Sequence, residues 1–250
     1  CGTCGTAVGP LEACRNGIPT PLPVLVPDGF YVDATEVTRG QYAAWLATEP
    51  SAEGQHPSCV DWNTSFEPTC GWPANTQPNL PVSCVDWCDA YAYCEGLGKR
   101  LCGRLGGGET TTELWESRNE SIDQWYNACS GGGQYLWQHG QLHDPAACNG
   151  VDNPWSVCIG TGDWPTCEIF PVAALETCQS PDPAFAGIYD LSGNVMEWID
   201  GCTGPTRDDN CRTGGGSSQH PAGSLSCEAV EVWAPRFWNN YFLGFRCCAL

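Results

Sequence analysis

The stretch Asp190–Cys202, DLSGNVMEWIDGC, decides how this sequence is read. It sets a polar turn, Ser192-Gly193-Asn194, against an apolar run that ends on a cysteine. Two carboxylates, Asp190 and Glu197, stand seven residues apart on either side of that turn. Ca²⁺ takes six to eight hard oxygens, and a tight glycine-containing turn can aim several carbonyls at one point. The alternative is an ordinary Asx turn in which Glu197 caps backbone amides.

The rest of the chain says where such a segment would live. Nineteen cysteines in 250 residues read as a disulfide framework built in an oxidising compartment. Zinc knuckles are the competing explanation, but Cys1-Gly-Thr-Cys4 has no second Cys-x-x-Cys to pair with. A cysteine at position 1 points to bacterial lipoprotein processing, with the lipid on Cys1 and eighteen cysteines left for nine disulfides; the bland alternative is that the chain merely starts there. The net charge of −19 repels nucleic acid and anionic membranes, so a membrane is reached through a lipid on Cys1 or not at all. No run of about 18 apolar residues marks a spanning helix. These features place the chain outside the cell or on its outer surface.

Residues 1–27, rich in cysteine and proline, read as a tail or linker, and residues 28–250 as the domain. GFYVDATEV alternates like a strand. Thr38 with Gln41 makes a capping box before an amphipathic helix, and Asp86 with Asp89 starts a second one. In that second helix Ala90, Tyr93, Cys94 and Leu97 share a face; Gly98 ends it, with Lys99 and Arg100 suited to its C-terminus. SIDQWYNACS predicts a short third helix closed by Gly131–Gly133, and from residue 134 onward short strands and turns are expected. Cys202 and Cys211 can close a short loop, whereas the adjacent Cys247 and Cys248 should bond to separate distant partners. His139 and His143 in HGQLH have the i, i+4 spacing of a metal pair on a helix, with a solvated loop as the alternative.

Four stretches in order, YVDATEVTRGQYAAWL, LPVSCVDWCDAYAYCEGLGKRL, GIYDLSGNVMEWIDG and LGFRCC, resemble the sulfatase-modifying-factor group, whose named member is the formylglycine-generating enzyme. The resemblance covers about residues 28–249. It implies an α+β fold related to C-type lectins, with little regular secondary structure. It also implies one or two calcium ions. One would be held by the Asp190 and Glu197 side chains and the Gly193 and Val195 carbonyls. The other would be held by Asn149, the Gly150 carbonyl, Asp163 and the Pro165 carbonyl, with Asp152 as a rival.

The family enzyme oxidises a substrate cysteine with O₂ and copper held by two cysteines. Gly215, Gly216 and Ser217 match the motif before that pair, but His220 and Leu225 fall where the cysteines belong. Cys227 is the nearest thiol; with His220 it is the candidate for residual metal–thiol chemistry, and a plain disulfide is the alternative. Copper is therefore not expected. Gln219, Glu231, Trp233, Arg236, Trp238, Asn239 and Tyr241 mix aromatic and polar side chains in the manner of a recognition surface for a protein or glycan, although Trp233 and Trp238 can equally be core. The expected function is a calcium-stabilised, secreted or cell-surface domain that binds rather than catalyses. The alternatives are a divergent thiol oxidase and a self-associating subunit of an extracellular assembly.

Overall fold

The computed structural model describes residues 9–70, 77–160 and 165–250, without the side chains of Leu114, Glu231 and Val232. Two helices form where their caps are written. In α1 (Arg39–Leu46) Thr38 Oγ1 accepts from Gln41 N while Gln41 Oε1 accepts from Thr38 N, at 3.2 and 3.0 Å. In α2 (Trp87–Gly96) Asp86 and Asp89 exchange the same two bonds. Such reciprocal caps satisfy amides that the helix itself leaves open. Ala90, Tyr93, Cys94 and Leu97 are all fully buried, as their spacing requires. Gly98, at φ 64°, turns the chain out of α2 in the left-handed conformation that costs glycine little. After the short α3 (Leu114–Ser117), α4 (Gln124–Ser130) is capped by Asp123 and closed by left-handed Gly131.

Among the described residues twelve short strands complete the fold: β1 (Glu12–Arg15), β2 (Ile18–Pro21), β3 (Pro23–Leu25), β4 (Tyr31–Asp33), β5 (Arg100–Leu101), β6 (Cys158–Ile159), β7 (Thr166–Cys167), β8 (Met196–Cys202), β9 (Asn210–Gly214), β10 (Glu231–Pro235), β11 (Leu243–Gly244) and β12 (Cys247–Ala249). Two four-stranded sheets run β10-β9-β8-β11 and β3-β4-β12-β5. Hairpins β1-β2 and β6-β7 stand apart from them. Part of the stretch expected to be a tail, residues 12–25, is built into strands. Of these, β3 is an edge of the second sheet, because Val24 pairs with Val32 of β4. Lys99 also departs from its expected place at a helix end: it is buried in an ion pair with Asp33.

The largest core cluster gathers Tyr42 and Trp45 of α1, Trp87 and Tyr93 of α2, Trp198 of β8 and Phe245. Disulfides fasten this core to the sheets. Cys94–Cys247 and Cys102–Cys248 send the adjacent pair to two different partners, and Cys202–Cys211 closes the loop expected of it. Further bridges are Cys59–Cys88, Cys70–Cys84, Cys129–Cys227, Cys148–Cys178 and Cys158–Cys167. Every cysteine among the described residues, Cys14 included, is disulfide-bonded. Cys1 and Cys4 lie outside the described residues.

Candidate functional site

Glu197 enters the core from β8, and both of its oxygens are taken. Oε1 accepts from Arg246 Nη2 at 2.7 Å and Nε at 2.9 Å; Oε2 accepts from Arg246 Nε at 2.8 Å and Trp125 Nε1 at 2.9 Å. Arg246 spends its remaining donors on the Asp33 and Tyr189 carbonyls. Asp190, left-handed at φ 63°, accepts from Ala173 N at 2.6 Å. Beside it lies Glu36, fully buried, whose Oε1 accepts from Asn194 Nδ2 at 2.9 Å and whose Oε2 has no partner. Three carboxylates thus surround one guanidinium. Burial pushes Asp190 up to about 6 and Glu36 well above the carboxylate range. Burial alone would lower Arg246, but Glu197, Glu36 and Asp190 outweigh it and hold its charge. Glu36, Trp125, Asn194 and Arg246 were not among the residues expected to organise this segment.

The calcium readings can be tested against these contacts. Both Glu197 oxygens already accept from a guanidinium or an indole, so a cation bound there would have to share them. Asp190, Gly193 and Val195 remain together on the turn, with Gly193 pressed so closely on the Asn149 carbonyl that a Cβ has no room. Asn149 suits a cation better. It is buried, its Nδ2 donates to the Glu168 carbonyl and to Asn194 Oδ1, and its Oδ1 has no partner. The Gly150 carbonyl accepts from Asn153 N, and Asp152 is exposed. Asp163 lies outside the described residues. Among the described residues no three His, Cys, Asp or Glu side chains converge to hold a metal ion.

Asp200 lies three residues beyond Glu197 in β8 and has the opposite surroundings. It is 5% exposed, its Oδ1 has no partner, and burial pushes it up to about 7.

The positions of the family's cysteine pair are closed. His220 Nδ1 lies 2.7 Å from Ser217 Oγ and accepts from Ser217 N at 3.0 Å; burial keeps its pKa below the usual value. Leu225 is 2% exposed and packs on Gly150 so tightly that any Cβ there would collide with it. The space left among Met196, Thr213, Gly216, His220 and Ser224 is about 10 Å³, barely one water. Cys227, the candidate catalytic thiol, is instead bonded to Cys129.

The expected recognition residues divide. Trp233 is 42% exposed and packs on Trp238 at 4.7 Å between ring centroids; Trp238 also meets Phe242. Asn239 Oδ1 accepts from Thr69. Tyr241 is exposed and helps line a cleft of about 470 Å³ with Gln77, Asn79, Glu168, Phe170 and Pro171. Arg236 and Gln219 are corrections. Arg236 is fully buried against the Trp87 ring and donates to the Gly204 and Thr206 carbonyls. Gln219 is buried too. The Glu231 side chain lies outside those described. HGQLH is a loop, in which His139 Nε2 accepts from Asp144 N and burial pushes His139 down to about 4.

Comparison with known proteins agrees with this geometry. The model of the sulfatase-modifying factor enzyme 1-like domain matches residues 7–249. No curated protein matches. Among solved structures, CarF is similar at 20% identity over 95% of both chains, with a TM-score of 0.54. PvdO from Pseudomonas aeruginosa gives 17% identity over 97% of this chain and 99% of its own, TM-score 0.55. Treponema denticola variable protein 1 gives 18% over 98% and 92%, TM-score 0.53. At these identities the likeness is one of fold.

Proposed function

The chain belongs to the sulfatase-modifying factor enzyme 1-like family, and from that membership we propose that it is a binding or structural domain that has given up the family's copper chemistry. One observation carries this reading: Leu225 fills the second cysteine position and packs on Gly150, while the nearest thiol, Cys227, is bonded to Cys129. A copper dithiolate needs two free thiolates and an open place for the substrate. The disulfide density fits an oxidising, extracellular setting. No described helix is long and apolar enough to cross a membrane.

The ligand-binding face is the Tyr241 cleft, and Trp233, Trp238 and Asn239 belong to the same stretch of chain. Pro171 and Phe170 offer apolar contact there, and Gln77, Asn79 and Glu168 offer hydrogen bonds. That mixture suits a protein loop or a glycan. Calcium would be held at the Asn149 turn, supported by the unpartnered Asn149 Oδ1; bound there it would supply charge and rigidity to the loop.

Four measurements test the proposal. Alkylation of the native protein should modify no cysteine from Cys14 onward, and added copper should drive no oxygen consumption with thiol substrates. Mapped alkylation of Cys227 together with such turnover would restore the oxidase. Glycan and peptide arrays should give a ligand that Tyr241→Ala and Trp233→Ala weaken together. Chelator should lower Tm, and Asn149→Ala should abolish that response.

A further inference from the structure

A second cleft, of about 240 Å³, opens between the end of α1, the loop after it and the outer face of α2. It shares no lining residue with the Tyr241 cleft and does not depend on the reading above. Its walls are Trp45, Phe66, Pro50 and Ala92, and its rim carries the exposed carboxylates of Glu53 and Glu95. Two features show that it is built rather than incidental. Gln55, 9% exposed, donates through Nε2 to the Asn63 carbonyl at 2.6 Å, yet its Oε1 is buried with no partner. Gly96 lies beside Trp45 Nε1, where a Cβ would stand 3.1 Å away, so the missing side chain leaves the indole N–H room to meet a ligand.

We propose that this cleft takes the side chain of a lysine presented by a basic partner protein. The methylene stem would lie along Trp45 and Phe66, whose rings meet at 5.3 Å and 48°. The ammonium has three donors, and Gln55 Oε1, Glu53 and Glu95 supply three acceptors of the right kind. A compact ammonium fits a single buried acceptor with two flanking carboxylates better than the flat, forked guanidinium of arginine. The indole N–H is left for a backbone carbonyl of the same partner. A second copy of this chain cannot be that partner through lysine: its one lysine, Lys99, is buried against Asp33. The net charge of −19 draws basic partners from a distance, and the cleft then selects among them.

The test is calorimetric titration of the full chain with the neutral-flanked peptide acetyl-Gly-Gly-Lys-Gly-Gly-amide at about 0.15 M salt, where weak surface attraction is screened. Saturable binding is expected, with loss of at least tenfold in affinity for Glu53→Gln/Glu95→Gln. The same loss is expected for Gly96→Leu, which fills the cleft without changing charge, and for the Nε-acetylated peptide. Glu113→Gln/Glu176→Gln, which removes two exposed carboxylates elsewhere, should change nothing. The proposal is overturned by absence of binding at millimolar peptide. It is equally overturned by an arginine peptide that binds as well, or by full affinity in a folded Gly96→Leu protein.

Discussion

Glu197 and Leu225 occupy two neighbourhoods of one core, and they have been treated differently. Around Glu197 every charge is met: three donors make four hydrogen bonds to the two carboxylate oxygens, and the arginine also fastens the Asp33 and Tyr189 carbonyls. Around Leu225 the surroundings are apolar. There an aliphatic side chain packs on a glycine, and the nearest thiol, Cys227, is bonded to Cys129. On the proposed reading, the polar hub maintains the fold, while the fold does without a reactive slot. A buried charge network cannot lose one member cheaply, whereas a pair of reactive thiols can be exchanged for packing.

The hub should break hardest. Arg246→Met strands three buried carboxylates and should cost about 3–5 kcal/mol in urea unfolding, while Arg246→Lys, lacking the planar fork, recovers only part of it. An unchanged denaturation midpoint for Arg246→Met would remove the hub from this account.

Asp200 sharpens the contrast, since it shares β8 with Glu197, yet Arg100 and Arg236 near it do not outweigh its burial and the repulsion of Glu109. Its pKa rises from 3.8 unfolded to about 7 folded. Between those values the folded chain keeps a proton that the unfolded chain releases, so stability falls as pH rises through that window. Asp200→Asn should flatten this fall and leave the protein more stable at pH 8, by at most about 4 kcal/mol. A pH–stability curve unaltered by the substitution would count against a strained acid there.

Leu225→Ala should cost about 3 kcal/mol, the price of a cavity beside Gly150, and should bring no copper-dependent oxygen uptake. If uptake appeared, the slot would have been blocked rather than abandoned. Trp233→Ala should be smallest, within about 1 kcal/mol of wild type because the ring is half exposed; its effect should appear in ligand binding instead.

How much of this could be read from the chain depends on the distance over which each interaction acts. Both capping boxes were legible because their partners are three residues apart. The closure of α4 by Gly131 was legible for the same reason. The true partner of Glu197 lies 49 residues away in LGFRCC, and Glu36 lies farther still in DATEVT. Both stretches carried the family resemblance, so the charged residues inside them were the available signal. Disulfide pairing was open for most cysteines, since spacing alone does not choose among partners. Arg236 was misread because a guanidinium among aromatics in a loop looks like a recognition residue, and local sequence does not show that Trp87 and two carbonyls bury it. The strands at residues 12–25 were hidden by their prolines, which edge strands tolerate.

The place of β12 has a consequence in time. This strand lies between β4 and β5, so the second sheet is split until residue 249 has been synthesised. Until then β4 and β5 each expose an open edge, and Cys94 and Cys102 wait as free thiols for Cys247 and Cys248. A nascent chain in that condition invites wrong pairing and aggregation. Maturation therefore cannot proceed strictly from the N-terminus. It depends on a late event that zips the sheet and locks it twice, and chains stalled before that event should be the ones most open to proteolysis.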